Sequence, residues 1–242
     1  MRIMKKLGAR AADAHKSPVA LIACLGDSVT HGCFEVFINH NGTIDTVYRP
    51  VDGYVSRLQR RLNDYYPSAA VSMLNAGVSG DSAVGGLARL ERDVLSHNPD
   101  LVIVNFALND AMGGLEKLPA YEEAMSSIME RVLASGAECM LLTPNRMCAY
   151  VQPSLGHEIL IRIAEDASSI QNGGVLDAYV DAARAIARRH GVPVADANAF
   201  WNRLQEAGAD TTAMLSNAIN HPTPAAHEIF VQAIVGQMLD MD

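Results

Sequence analysis

The sequence predicts a three-layer α/β/α sandwich around a five-stranded parallel sheet. Three observations carry this: five short apolar runs, amphipathic segments between them, and polar, Gly-containing turns where the first runs end. With 242 residues, 49% of them hydrophobic, the chain is long enough for one sizeable core, and it shows no repeat, low-complexity tract or linker. It reads as one domain over residues 1–242, with 1–17 as an N-terminal extension.

The first apolar run, Val19 to Leu25, yields a buried strand over Leu21–Leu25. Further strands are expected at Val71–Asn75, Leu101–Asn105, Met140–Thr143 and Pro193–Asp196. Between them Gly53–Asn63, Gly85–Leu95, Pro119–Ser135 and Asp177–His190 carry apolar residues at three- and four-residue spacing, the period of a helix with one buried face. Thr223–Met238 reads as a closing helix, with Thr223 as N-cap and Pro224 at its first position. Two connections, 33–52 and 145–174, exceed the usual βα loop and read as long loops over the sheet edge, where substrate selection would reside.

A formal net charge of −8 argues against nucleic acid or an anionic membrane surface as the main partner. The amino terminus lacks an apolar stretch of signal-peptide length and the first strand is too short to span a bilayer, so a cytoplasmic protein without stable membrane association is expected. Self-association to a homo-oligomer stays open. Cys24, Cys33, Cys139 and Cys148 have no C-x-x-C spacing and read as buried free thiols. His157-Glu158 and His227-Glu228 begin like zinc-protease motifs but lack the second histidine, and neither a P-loop nor G-x-G-x-x-G occurs, so no metal and no cofactor are expected.

The strand ends hold the chemistry. Gly26-Asp27-Ser28 delivers a hydroxyl to the carboxyl edge of the sheet, where open α/β folds bind their ligands. Ser28 is the candidate nucleophile, with an ordinary turn and helix N-cap as the alternative. The second strand leads into Gly77-Val78-Ser79-Gly80-Asp81-Ser82 and the third into Ala107-Leu108-Asn109-Asp110. Backbone N–H groups in a Gly-containing turn and an Asn amide are the materials of an oxyanion site. A base must be a histidine near Ser28; His221, held in Asn220-His221-Pro222-Thr223-Pro224, stands out, and His31 is its rival.

Taken in order, these pieces resemble the SGNH (GDSL-type) esterase and lipase superfamily. Gly26 to Gly32 looks like its first block, Asn75 to Gly80 its second, Asn109-Asp110 its third and His221-Pro222 its last, and the resemblance spans residues 21–230. The stretch from Gly77 through Leu90 is similar to the thioesterase/lysophospholipase branch, and Ile219 to Pro222 to carbohydrate-ester deacetylases. The resemblance implies a flavodoxin-like fold, Ser28 as nucleophile and His221 as general base. The oxyanion would be held by the N–H groups of Ser28 and Gly80 and the Asn109 amide, while Asp27 supports the turn.

Two departures bear on the chemistry. The family's Asp three residues before the histidine is Ala218 here, so Asn217, Asn220 or a loop carbonyl would have to accept the Nδ1–H bond. Ala107 stands where the family commonly has Gly, adding a methyl that would narrow the pocket. The expected activity is hydrolysis of acyl esters, short-chain or acetyl, on a small molecule or a carbohydrate. A longer-chain thioesterase or lysophospholipase is the alternative within the enzyme class, and a binding protein of impaired turnover the alternative outside it.

Overall fold

The computed structural model describes residues 1–240. In chain order the elements are α1 (Arg2–Ala12), β1 (Leu21–Gly26), α2 (Ser28–His31), β2 (Cys33–Ile38), β3 (Ile44–Tyr48), α3 (Tyr54–Tyr65), β4 (Ser72–Gly77) and α4 (Ala83–Asp93). They continue with β5 (Leu101–Asn105), α5 (Leu108–Ala111), α6 (Leu118–Ala134), β6 (Glu138–Leu142), α7 (Glu158–Asn172), α8 (Val175–His190), β7 (Val194–Ala195), α9 (Ala197–Glu206) and α10 (His227–Leu239).

β1, β4, β5, β6 and β7 form one parallel sheet in the order β4-β1-β5-β6-β7. Every residue of β5 is buried, which is why Leu101 to Asn105 reads as a continuous apolar run rather than an alternating one. α3 and α10 pack together on one side of the sheet, and α4, α6 and α8 in a row on the other. The chain runs outward from β1 to β4 and then crosses to β5 on the opposite side of β1. This reversal opens a crevice at the carboxyl ends of β1 and β5, the place where doubly wound sheets bind ligands. Gly26 pairs in register with both Gly77 and Asn105, so the loops after all three strands leave the sheet at one level.

Several segments differ from the sequence expectation, among them α9, which has no counterpart in it. Residues 1–17 hold a helix, α1, whose Ile3, Met4 and Leu7 join the core; the Glu138 carboxylate accepts the free N–H groups of Arg2 and Ile3 at 2.8 and 2.7 Å. Segment 33–52 is built as an antiparallel hairpin, β2–β3, turned by Asn39, whose Oδ1 accepts from the N–H groups of Asn41 and Thr43. Segment 145–174 contains α7, capped by the His157 ring, which accepts from Ile159 N–H. The closing helix starts at His227; Thr223 Oγ1 caps only the turn before it, through Ala226 N–H at 3.3 Å.

Candidate active site

Asp27 follows β1 and caps α2. Its Oδ1 accepts Val29 N–H at 3.0 Å, an N-cap that sets Ser28 at the first helical position with its side chain facing the crevice. Burial pushes the Asp27 carboxyl up to about 7; the Val29 N–H opposes the shift, and repulsion from Asp110 and Asp81 adds to it. Gly77 lets β4 end directly against this turn, since a Cβ there would lie 2.2 Å from the His31 backbone nitrogen.

His221 arrives on the loop before α10. Asn217 Oδ1 accepts three backbone N–H groups, of Ile219, Asn220 and His221, at 3.0, 2.9 and 2.9 Å, and Ala218 takes φ +56° to close the turn. The loop puts His221 Nε2 2.9 Å from Ser28 Oγ and Nδ1 2.8 Å from the Phe34 carbonyl. A carbonyl can only accept, so Nδ1 carries the proton, and the Nε2 lone pair of the neutral ring receives the Ser28 hydroxyl proton. Burial lowers the His221 pKa below its ordinary value, outweighing the Phe34 bond and the Glu35 charge that raise it.

Of the acceptors expected for Nδ1, the Asn217 and Asn220 side chains do not reach it, and a main-chain carbonyl fills the place. The Asn217 oxygen is used by the loop backbone, and its amide donates to Asn220 Oδ1 at 3.0 Å. The acceptor comes instead from β2, an element distant in sequence. His31, the rival base, turns away and packs on Tyr48 with 4.8 Å between ring centroids.

Gly80 adopts φ +78°, a conformation that strains any residue with a Cβ, and no atom lies within 4 Å of where that Cβ would stand. Asn109 donates one amide hydrogen to the Asp81 carbonyl at 2.8 Å, leaving its second for the crevice. Arg89, nearly buried, ties this wall to the nucleophile strand: Nε bonds Asp81 Oδ2 at 2.6 Å, Nη1 the Ala76 carbonyl at 2.6 Å and Nη2 the Gly26 carbonyl at 2.9 Å. Asp110 Oδ1 accepts Ala83 N–H at 2.9 Å, and burial pushes its carboxyl up to about 6. Ala107 is fully buried at φ +139°, so its methyl strains the backbone before Asn109 rather than narrowing the cavity.

Ser28, Gly80, Asn109 and His221 share one cavity of about 330 Å³. Val36 and Ile44 of the hairpin, Leu160 and Ile163 of α7, and Ile219 supply its aliphatic wall; Asp45, Thr46 and Asn220 supply polar groups. Phe34, Asp81, Arg89 and Asp110 are the site residues that sequence reasoning passed over. The last three lie within the quoted stretches, with no role assigned to them there, whereas nothing local marks the Phe34 carbonyl. Among the described residues no three His, Cys, Asp or Glu side chains are grouped to hold a metal ion, and no helix is long and apolar enough to cross a membrane.

Residues 24–229 match the family model of the GDSL-like lipase/acylhydrolase family. Esterase TesA of Pseudomonas aeruginosa is 35% identical over 91 residues, covering 37% of this chain and 43% of the relative. Thioesterase 1/protease 1/lysophospholipase L1 of Escherichia coli K12 is 36% identical over 81 residues, 34% of this chain and 38% of the relative. The chain thus aligns with less than half the length of either. Axe2, an acetylxylan esterase from Geobacillus stearothermophilus, shares the fold with a TM-score of 0.67 at 21% identity, covering 92% of this chain and 95% of that one. Solved variants of Axe2 described as catalytic mutants replace a serine, a histidine, or an aspartate three residues before that histidine.

Proposed function

The chain belongs to the GDSL-like lipase/acylhydrolase family, and from that premise we propose that it hydrolyses carboxylic acyl esters with Ser28 as nucleophile and His221 as general base. The observation that carries the reading is the relay Ser28 Oγ–His221 Nε2 at 2.9 Å and His221 Nδ1–Phe34 carbonyl at 2.8 Å, opening on a cavity. Ser28 attacks the acyl carbon while Nε2 takes its proton. The developing oxyanion is met by the N–H groups of Ser28 and Gly80 and the Asn109 amide. Protonated His221 then gives its proton to the leaving alcohol, and a water activated in the same way releases the acid from the acyl-enzyme.

Ala218 stands three residues before His221, the spacing at which Axe2 has an aspartate before its histidine, so no carboxylate is offered there, and the Phe34 carbonyl takes over part of the task. In serine hydrolases that aspartate both selects the tautomer and stabilises the imidazolium; its replacement by Asn, which favours the wrong tautomer, costs about 10⁴ in turnover. A carbonyl enforces the right tautomer and forgoes only the charge. Turnover without the carboxylate is therefore consistent with this site.

The substrate we propose is a short acyl ester, acetyl to hexanoyl, with the acyl chain against Val36, Ile44, Leu160 and Ile163. The polar groups of Asp45, Thr46 and Asn220 suit a hydroxyl-rich alcohol such as a sugar. A nitrophenyl ester series of increasing chain length tests this: kcat/KM should peak within acetyl to hexanoyl, and Ser28→Ala should abolish turnover while remaining folded. A peak at dodecanoyl or beyond would favour the thioesterase/lysophospholipase reading. Failure of an organophosphonate to label Ser28, with no ester turned over, would leave a binding protein.

A further inference from the structure

The hairpin is irregular at the point where it meets His221. Cys33 pairs with Tyr48 and Val36 with Thr46, so three steps along β2 match two along β3, a bulge that includes Phe34 and Glu35. Both carbonyls of the bulge leave the ladder and are taken by side chains: Phe34's by His221 Nδ1 at 2.8 Å, Glu35's by Thr46 Oγ1 at 3.0 Å.

One side chain grips both bulge residues. Arg49 Nη2 donates to Glu35 Oε1 at 3.0 Å, Nη1 lies 2.9 Å from Oε2, and the guanidinium carbon stands 4.7 Å from the Phe34 ring centroid. The Phe34 ring also meets the His227 ring, tilted against it with 5.1 Å between centroids. Arg49 itself is fixed by its own N–H to the Gly32 carbonyl at 2.8 Å and by Asp52, 3.4 Å from Nε. The pair is half exposed, with Arg49 and Glu35 side chains at 36% and 47%, so its contribution to fold stability is small. Its geometry is more specific than stability alone demands.

Resting on the Ser28–His221 reading, we propose that Arg49 is a positioning residue for the reaction: by clamping Glu35 and Phe34 it holds the bulge whose freed carbonyl fixes His221, replacing the carboxylate absent at Ala218. Three features place the role on Arg49 rather than on any cation. The pairing with Glu35 needs a cation that donates to Oε1, the stacking on Phe34 needs a delocalised planar face, and both converge on consecutive residues. A lysine can pair with Glu35 but has no planar face to lay on the Phe34 ring.

The test uses the full chain with nitrophenyl acetate. Arg49→Ala should lower kcat by about 10- to 100-fold, the cost known for losing an outer partner of a metal-bound histidine and below the roughly 10⁴ of losing the orienting group itself, with KM little changed. Its Tm should fall by no more than about 4 °C. Arg49→Lys should recover little of the loss. In imidazole-labelled protein the His221 Nδ1 proton should give a slowly exchanging downfield resonance that broadens or vanishes in Arg49→Ala. If Arg49→Ala proves unfolded, Phe34→Leu, which keeps the carbonyl and removes the stacking face, should show the same kcat loss and the same spectral change. Wild-type kcat with the resonance intact in a folded Arg49 variant would overturn the proposal. If His221→Ala also retained turnover, the Ser28–His221 reading would fail as well, and the two failures are thereby told apart.

Discussion

Replacing Asp27 by Asn should stabilise the protein in alkaline solution while leaving ester hydrolysis in place. The carboxyl sits buried beside Ser28 with its pKa at about 7 instead of 3.8, chiefly through burial. A raised carboxyl pKa means that the native state keeps a proton the unfolded chain has released. The associated stability is complete below the unfolded pKa and is lost as pH climbs through about 7. The difference of about 3 units makes Asp27 a burden on the native state of roughly 4 kcal/mol near pH 8, where it is ionised, and of roughly 1 to 2 kcal/mol near pH 5, where it must hold a proton the unfolded chain gives up. Asn caps a helix about as well as Asp, so the Val29 bond survives and the burden disappears. Thermal unfolding of both proteins should give the variant a Tm advantage of about 5–15 °C near pH 8, shrinking to a few degrees near pH 5. Asp110, at about 6, repels Asp27, so removing the Asp27 charge also eases the ionisation of Asp110 and adds to the variant's advantage at high pH. A pH-independent difference would refute the electrostatic argument. Loss of turnover near about pH 6, where Asp27 is already mostly protonated, would assign Asp27 to the chemistry rather than to the cap.

Three further outcomes are expected. Asn109→Ala should cut kcat by about 10²-fold or more with KM nearly constant, because its free amide hydrogen is used mainly in the transition state; a change confined to KM would make Asn109 a ground-state binding group. The acid limb of kcat/KM should have its midpoint below the ordinary histidine value of 6.5, since burial lowers the His221 pKa and the base works only unprotonated; a midpoint above it would contradict this burial argument. Ala218→Asp should bring no gain in kcat/KM, because the single Nδ1 proton is already held at 2.8 Å by Phe34; a rise would show that a carboxylate displaces the carbonyl to advantage.

The sheet was legible because burial on both faces leaves a local mark. Runs such as Leu101 to Asn105 admit few other readings, and glycines at 26, 77 and 80 mark the places where the chain must approach its neighbours or take positive φ. Those local signals also bring Ser28, Gly80 and Asn109 to one edge, since each follows a parallel strand by two to four residues. The hairpin was less legible, because Cys33 to Tyr48 has one exposed face and takes its form from pairing. What only the tertiary structure decided is the acceptor for His221. A main-chain carbonyl has no sequence signature, and the Phe34 oxygen becomes available only because a one-residue bulge breaks a ladder between strands and turns it toward a loop 187 residues away. The Asn side chains beside His221 looked able to do the work, yet the turn that presents the ring uses their hydrogen-bonding groups. Sequence proximity identifies which groups are available; backbone hydrogen bonding, satisfied first, determines which of them remain free to act.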